Sequence, residues 1–313
     1  MHLTRKIKNY LKKIFRCFAE ISQRFGIDIL PHHYYSEIPD FKELRLETYW
    51  KSPSSMIGIN GSDIEEQLDF IKEICNKDLV TRLKRNNIYS YACFQNNEPG
   101  FGPIESDFLF CFIHNIKPKR IIQIGCGVST AVIMLANKES NFCSEIICID
   151  AYPTKFLQKI SNEGRIRLIS EKVQKIDLNL LTNLDSKDLL FIDSTHTVKP
   201  GSDVNRIILE VLPRSRKGVY AHFQDIYFPY DYKRNLLSDG LFFSNESVLL
   251  HAFLINNSNY KINISLSMLH YSRTKELKEF LPNYNPQLNN YGLKLNTREG
   301  LHFPSSTYLR AVN

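Results

Sequence analysis

Short stretches of this chain concentrate residues that can move protons or hold ligands. Asp193-Ser194-Thr195-His196 closes one apolar run, His222 lies inside another, and Gln224-Asp225 closes that second run. If the two runs are neighbouring strands, two carboxylates and two imidazoles meet in one crevice, where an imidazole serves as base and a carboxylate orients it. His196, His222 and Asp225 are therefore the candidate catalytic residues, with a hydrogen-bonded structural histidine as the alternative reading of each imidazole. Asp193 and Asp225 are also hard oxygen ligands suited to Mg²⁺, so a divalent metal is a further expectation here.

These residues need a scaffold, and the stretch Arg120 to Ala136 predicts its centre. Ile121, Ile122 and Ile124 form a β-branched run suited to a strand buried on both faces, and Thr130 to Ala136 continues as a helix. Between them lie Gly125-Cys126-Gly127-Val128-Ser129, whose glycines allow a tight turn and a close ligand, with the unpaired N–H groups of the helix start facing an anion. Gly125, Cys126, Gly127 and Ser129 are thus cofactor-binding candidates. Asp150 ends the next apolar run, 23 residues beyond Gly127 (150 − 127), where a carboxylate accepts hydrogen bonds from ribose hydroxyls. Thr130 stands where the dinucleotide pattern has its third glycine, which makes a nicotinamide-dependent oxidoreductase the less attractive use of the cradle.

Around this centre the pattern alternates strand and helix. Strands are expected at Glu145–Ile149, Arg165–Ile169, Leu189–Ile192 and Gly218–Phe223, and helices at 64–75, 105–116, 203–212 and 246–255. Further strands are read over Lys261–Met268 and 306–312. The expected fold class is α/β, a doubly wound Rossmann-like sheet with ligands at the carboxyl ends of its strands, plus an N-terminal helical extension. The division expected is a basic amphipathic helix over 1–30, a strap with helices over 31–104, and the cofactor-binding domain over 105–313. Residues 89–103 read as an aromatic loop. An aromatic lid is expected over 226–245, with Tyr227, Tyr230, Asn245 and Glu246 as substrate candidates.

Composition narrows the function classes. Residues 1–30 hold seven Lys or Arg and two acidic residues, a local +5, so the other 283 residues (313 − 30) carry only +2 of the net +7. A nearly neutral body argues against tracking nucleic-acid phosphates. The first helix has two readings, docking on protein or lying on an anionic membrane surface. Seven scattered cysteines without a CxxC pair fit a reducing compartment, so a cytoplasmic location is expected, with contact at the inner membrane face as its extension.

The assembled motifs resemble a family of bacterial class I S-adenosylmethionine-dependent methyltransferases, an uncharacterised branch often found with surface-glycan genes. The resemblance rests on Tyr35-Ser36, Ile38-Pro39-Asp40, Ile124 to Thr130, Tyr152-Pro153, Asp188 to Asn205, His222 to Tyr232 and Asn245-Glu246. It implies seven strands with the last antiparallel, the cofactor's methionine part over Gly125 to Ser129, its ribose on Asp150, and Val173 and Gln174 near the adenine. Asp193 joins the cofactor-binding set. Gln123, Gln224 and Ser244 stand where the family usually has Glu, His and Trp. The activity implied is methyl transfer from S-adenosylmethionine to an oxygen of a small molecule or glycan, with a non-catalytic cofactor-binding protein as the alternative.

Overall fold

Strand β1 (Arg120–Ile124) sits in the interior of the sheet because its isoleucines leave no side for water, and four of its five residues are buried. The computed structural model describes residues 5–233, 236–237, 241–287 and 300–313, with the backbone alone for 5–9. The remaining strands are β2 (Glu145–Ile149), β3 (Arg167–Ile169), β4 (Leu189–Ile192), β5 (Tyr220–Phe223), β6 (Tyr260–Ser265) and β7 (Thr307–Ala311). Their order is β3-β2-β1-β4-β5-β7-β6, and β7 runs antiparallel to both of its neighbours while the others share one direction. This is the seven-stranded sheet of class I methyltransferases. The chain leaves β1 toward β2 on one side and returns to β4 on the other, so a crevice opens at the carboxyl ends of β1 and β4.

Side chains alternate across the sheet and feed two separate cores. Ile121, Leu189, Phe191 and Tyr220 face one layer, built with α3 (Ile64–Ile74), α4 (Lys77–Arg85), α5 (Ile88–Asn96), α6 (Pro103–Ile116), α7 (Val128–Glu139) and α8 (Lys155–Asn162). Ile122, Ile124, Leu190, Ile192, Ala221 and Phe223 face the other, built with α9 (Leu178–Leu181), α10 (Asp203–Arg206) and α11 (Glu246–Leu254). Two short helices, α12 (Leu266–Ser272) and α13 (Thr274–Phe280), complete the first layer through Leu269 and Leu277. The seven cysteines are free thiols.

The chain divides between Thr48 and Tyr49 into two compact units. The smaller contains one long helix, Arg5–Arg24, and a short one, Phe41–Leu46, which starts where Asp40 accepts hydrogen bonds from the N–H groups of Lys42 (2.8 Å) and Glu43 (2.9 Å). We label them α1 and α2. The boundary falls inside the segment 31–104, and α3 to α5 lie with the sheet in the larger unit. Residues 1–4 of the expected basic helix lie outside the described residues.

Three elements differ from the sequence reading. The aromatic loop over 89–103 is largely helix α5, because Asn87 caps it through Ser90 N–H (2.8 Å) and Asn97 ends it in the left-handed region. The strand expected through Met268 stops at Ser265, since Leu266, Met268 and Leu269 also satisfy a helical turn. Gly164, at φ +71, turns the chain before β3, which therefore starts at Arg167 and not Arg165.

Candidate active site

The cradle after β1 is held by backbone geometry. Gly125 has φ +77, and a Cβ there would sit 2.2 Å from the carbonyl oxygen of Asp193, so the strand ends of β1 and β4 touch only because the residue is glycine. Gly127, at φ +144, starts α7 beside the Asn96 amide. Asp150 accepts from Cys126 N–H (3.1 Å) and Tyr152 N–H (2.8 Å), one bond per carboxylate oxygen, which ties the end of β2 to the loop and leaves each oxygen a further lone pair. The Cys126 thiol is raised well above its usual range by burial and by Cys148 beside it, so it is no nucleophile.

Gln123 lies on the same face as Phe191, under α7. Its amide donates to Ser129 Oγ (2.7 Å) and its carbonyl accepts from Thr130 Oγ1 (2.8 Å), whose oxygen in turn accepts from Gly127 N–H (3.1 Å). Ser129 is therefore buried in the support of the cradle. Val173 is buried, and Gln174 Nε2 donates to the Gly201 carbonyl (3.0 Å), bringing the turn after β3 against the loop after β4.

A charged cluster fills the neighbouring crevice at the ends of β4 and β5. His196 and Asp225 both adopt left-handed backbone, φ +56 and +58, an uncommon state for such residues that collects at functional sites. The His196 ring is clamped by carboxylates on both nitrogens: Nδ1 lies 2.7 Å from Glu246 Oε2, and Nε2 lies 3.4 Å from Asp193 Oδ1 and 4.0 Å from Asp225 Oδ2. A neutral imidazole would turn a lone pair toward one of these carboxylates, so the ring is an imidazolium. Burial disfavours that charge, but the bonds to Asp193 and Glu246 outweigh it and raise His196 to about 10.

Much of the motif around His196 serves to hold it. Glu246 is buried and also accepts from Ser194 Oγ (2.8 Å), which accepts from His196 N–H (3.0 Å). Asp203 accepts from Thr195 N–H (2.8 Å) and Thr195 Oγ1 (2.6 Å), and Asn245 Oδ1 accepts from Val198 N–H (2.5 Å). Asn245 and Glu246, expected at the substrate, thus position the turn that carries His196.

His222 is a correction to the catalytic expectation. Period-two alternation turns it into the first core, where it stacks 4.2 Å from Phe191 and 4.7 Å from Tyr308. Ser306 Oγ donates to Gln224 Oε1 (2.8 Å), so His222 Nε2 donates to Ser306 (2.9 Å) and Nδ1 is left without a partner among the described residues. Full burial pushes this ring down to about 3 and closes it off from solvent. The lid expectation is also revised. Tyr227, Phe228 and Tyr230 are buried, with Tyr230 against Tyr271 at 4.8 Å, because the segment after β5 turns inward. Residues 234–235 and 238–240 of the expected lid lie outside the described residues. Tyr227 stays near the site: burial and the adjacent Asp225 raise its phenol well above the usual range.

Asp193 and Asp225 do not fit the expected Mg²⁺. Both face His196, and Lys233 Nζ lies 3.9 Å from Asp225 Oδ2, so cations already neutralise the carboxylates a divalent ion would need. Among the described residues no group of three or more His, Cys, Asp or Glu is arranged to hold a metal.

Lys233, Ser305 and Glu105 are site residues that the sequence reading missed. Ser305 Oγ donates to Asp225 Oδ1 (2.8 Å), and Ser305 N–H donates to Glu105 Oε1 (2.9 Å). Burial raises Glu105 to about 7. Its signal was a carboxylate, with Asp107 close by, at the head of the apolar run of α6.

Residues 122–226 match a family model described as a methyltransferase domain. A protein of Archaeoglobus fulgidus, described as uncharacterized, is 27% identical over 211 residues, covering 65% of this chain and 92% of that one. Among solved structures, Podospora anserina methyltransferase PaMTH1 bound to S-adenosylhomocysteine is 14% identical with a TM-score of 0.39, covering 92% of this chain and 100% of its own. The plantazolicin methyltransferase BamL, in complex with a triazolic desmethyl analogue and S-adenosylhomocysteine, is 13% identical with a TM-score of 0.41, covering 80% and 96%. The match makes the stretch from β1 to the residue after Asp225 a methyltransferase domain, carried on a sheet with the class I strand order.

Proposed function

We propose that the protein moves the methyl group of S-adenosylmethionine to a hydroxyl oxygen of a small molecule or glycan. The observation that supports this most is the coincidence of the matched stretch, 122–226, with the strand ends that carry the glycine cradle and the charged cluster. The cradle fits the cofactor: a Cβ at Gly125 would close it, and Asp150 keeps lone pairs for two ribose hydroxyls. In this reading Gly125 to Ser129 flank the methionine part, and Val173 and Gln174 lie by the adenine. Gln123 has both amide ends bonded within the protein, so Asp193, whose backbone touches Gly125, takes the cofactor's ammonium.

When bound, the sulfonium supplies a methyl group already activated for displacement. The protein then has to align the acceptor and take its proton, and alignment alone provides much of the acceleration. His196 is protonated and cannot be the base at neutral pH, so it acts as a fixed positive charge that sets the positions of Asp193 and Asp225. Asp225, one third exposed, accepts the acceptor's proton on Oδ2, while Ser305 holds Oδ1.

Calorimetry with S-adenosylhomocysteine and with NAD tests the cofactor reading, and binding of NAD alone overturns it. For catalysis, turnover is measured on an acceptor found by screening hydroxylated phenols and sugars. Asp225→Asn is expected to lower it by about 10² to 10⁴ with S-adenosylhomocysteine affinity retained. A rate that climbs through about pH 10 and is lost in His196→Gln would instead make His196 the base, because that group works only once deprotonated. Gln123 and Gln224, standing where the resemblance has Glu and His, favour a second reading as a cofactor-binding protein without catalysis. Tight binding of S-adenosylhomocysteine with no turnover on any acceptor supports it.

A further inference from the structure

Helix α1 is the feature that the methyl-transfer reading leaves unused. At about 100° per residue, Tyr10, Leu11, Ile14, Phe18 and Ile21 fall within one arc of about 100°, and Lys6, Lys8, Lys12, Lys13, Arg16 and Arg24 occupy the rest of the wheel. Lys8 and Arg24 border the apolar arc on opposite sides. Each of the five apolar residues is at least half exposed, so nothing among the described residues of 1–48 covers this face. Residues 31–313 carry a net charge of +2, so the body of the chain as a whole gives this basic helix no electrostatic attraction. No helix among the described residues is long and apolar enough to cross a membrane, which leaves lying in the surface as the membrane geometry open to α1.

We propose that α1 binds the surface of an anionic bilayer, its apolar arc among the acyl chains and its lysines among the phosphate headgroups. Aromatic Tyr10 and Phe18 suit the boundary between headgroup and chain, and the lysines beside them reach outward on flexible stems. The attraction of each cation for an anionic surface decays within a Debye length, so binding depends on both lipid charge and salt.

The test is co-sedimentation of the full chain with vesicles of phosphatidylcholine alone, and of phosphatidylcholine mixed with an equal part of phosphatidylglycerol. The full chain is expected to partition at least about tenfold more strongly onto the anionic vesicles, and added salt should reduce that preference. Ile14→Asp with Phe18→Asp should abolish binding, as should Lys12→Glu with Lys13→Glu, whereas Lys12→Arg with Lys13→Arg should keep it. Unchanged S-adenosylhomocysteine binding in these variants checks that the larger unit remains folded. Sedimentation with neither vesicle, equal sedimentation with both, or binding unaffected by the aspartate variant overturns the proposal. The first of these outcomes, with a size that doubles in solution, would assign the apolar face to a second copy of the chain.

Discussion

The crevice has two halves built on different principles. Around β1 and β2 it is made of backbone: Gly125 and Gly127 shape it, and Asp150 is bonded to two main-chain N–H groups. Around β4 and β5 it is made of charged side chains, with His196 between Glu246, Asp193 and Asp225, and Lys233 behind Asp225. The first half depends on the conformations its residues can adopt, whereas the second depends on which charges the fold brings within a few ångströms. A backbone cradle should therefore fail abruptly when a single atom is added. A charge cluster should respond in steps, through pH and through its neighbours.

The largest effect is expected in the backbone half. Gly125→Ala places a Cβ against the Asp193 carbonyl in a left-handed conformation, and it should destabilise the protein by about 4 kcal/mol and remove S-adenosylhomocysteine binding. Gly201→Ala, at a similar φ of +74 but with open space around it, is the control and should cost about 1 kcal/mol. Urea unfolding and calorimetry of the two variants measure the difference. Equal small losses in both would show that the strand ends can separate, and the contrast between the halves would then disappear.

A smaller effect, of about 3 kcal/mol, belongs to the charged half. Burial raises Glu105 from 4.5 to about 7, so the folded state holds its proton more tightly than the unfolded chain does. The resulting stability is complete below pH 4.5 and is lost as pH rises through about 7. Glu105→Gln keeps the acceptor for Ser305 N–H and should flatten the stability profile across that window, as read from urea midpoints at several pH values. A profile unchanged by the substitution would mean that the carboxyl is ionised at Ser305 throughout.

The smallest effect sharpens the comparison from the cofactor side. Asp150→Ala should weaken S-adenosylhomocysteine binding by about 1 to 3 kcal/mol, the range for hydrogen bonds to a charged acceptor. Part of that loss comes through the freed N–H groups of Cys126 and Tyr152. Asp150→Asn, which keeps acceptor capacity for one of them, should lie between. Identical affinities for the two variants and the wild type would take Asp150 out of the ligand's reach and leave it a loop tie only.

The sheet was legible in the sequence because buried parallel strands must be uniformly apolar and because glycine turns a chain at positive φ without the steric cost of a side chain. Ile121 to Ile124 followed by Gly125 and Gly127 satisfied both requirements without any neighbour being known. Asp150, Asp193, His196 and Asp225 could be placed at strand ends by the same alternation. The sequence could not say which way a histidine in a short strand faces. His222 and Phe191 sit at paired positions of β5 and β4, and only the pairing register shows that both enter the core. Neither could local pattern reveal Ser305 and Glu105 at Asp225, since they lie 80 and 120 residues away along the chain (305 − 225 and 225 − 105). The amphipathic wheel of α1 was complete in its own 20 residues, because a helix relates each residue to those three and four positions away. The protonation of His196 was decided by tertiary structure alone, since it follows from carboxylates contributed by three separate elements converging on one buried ring.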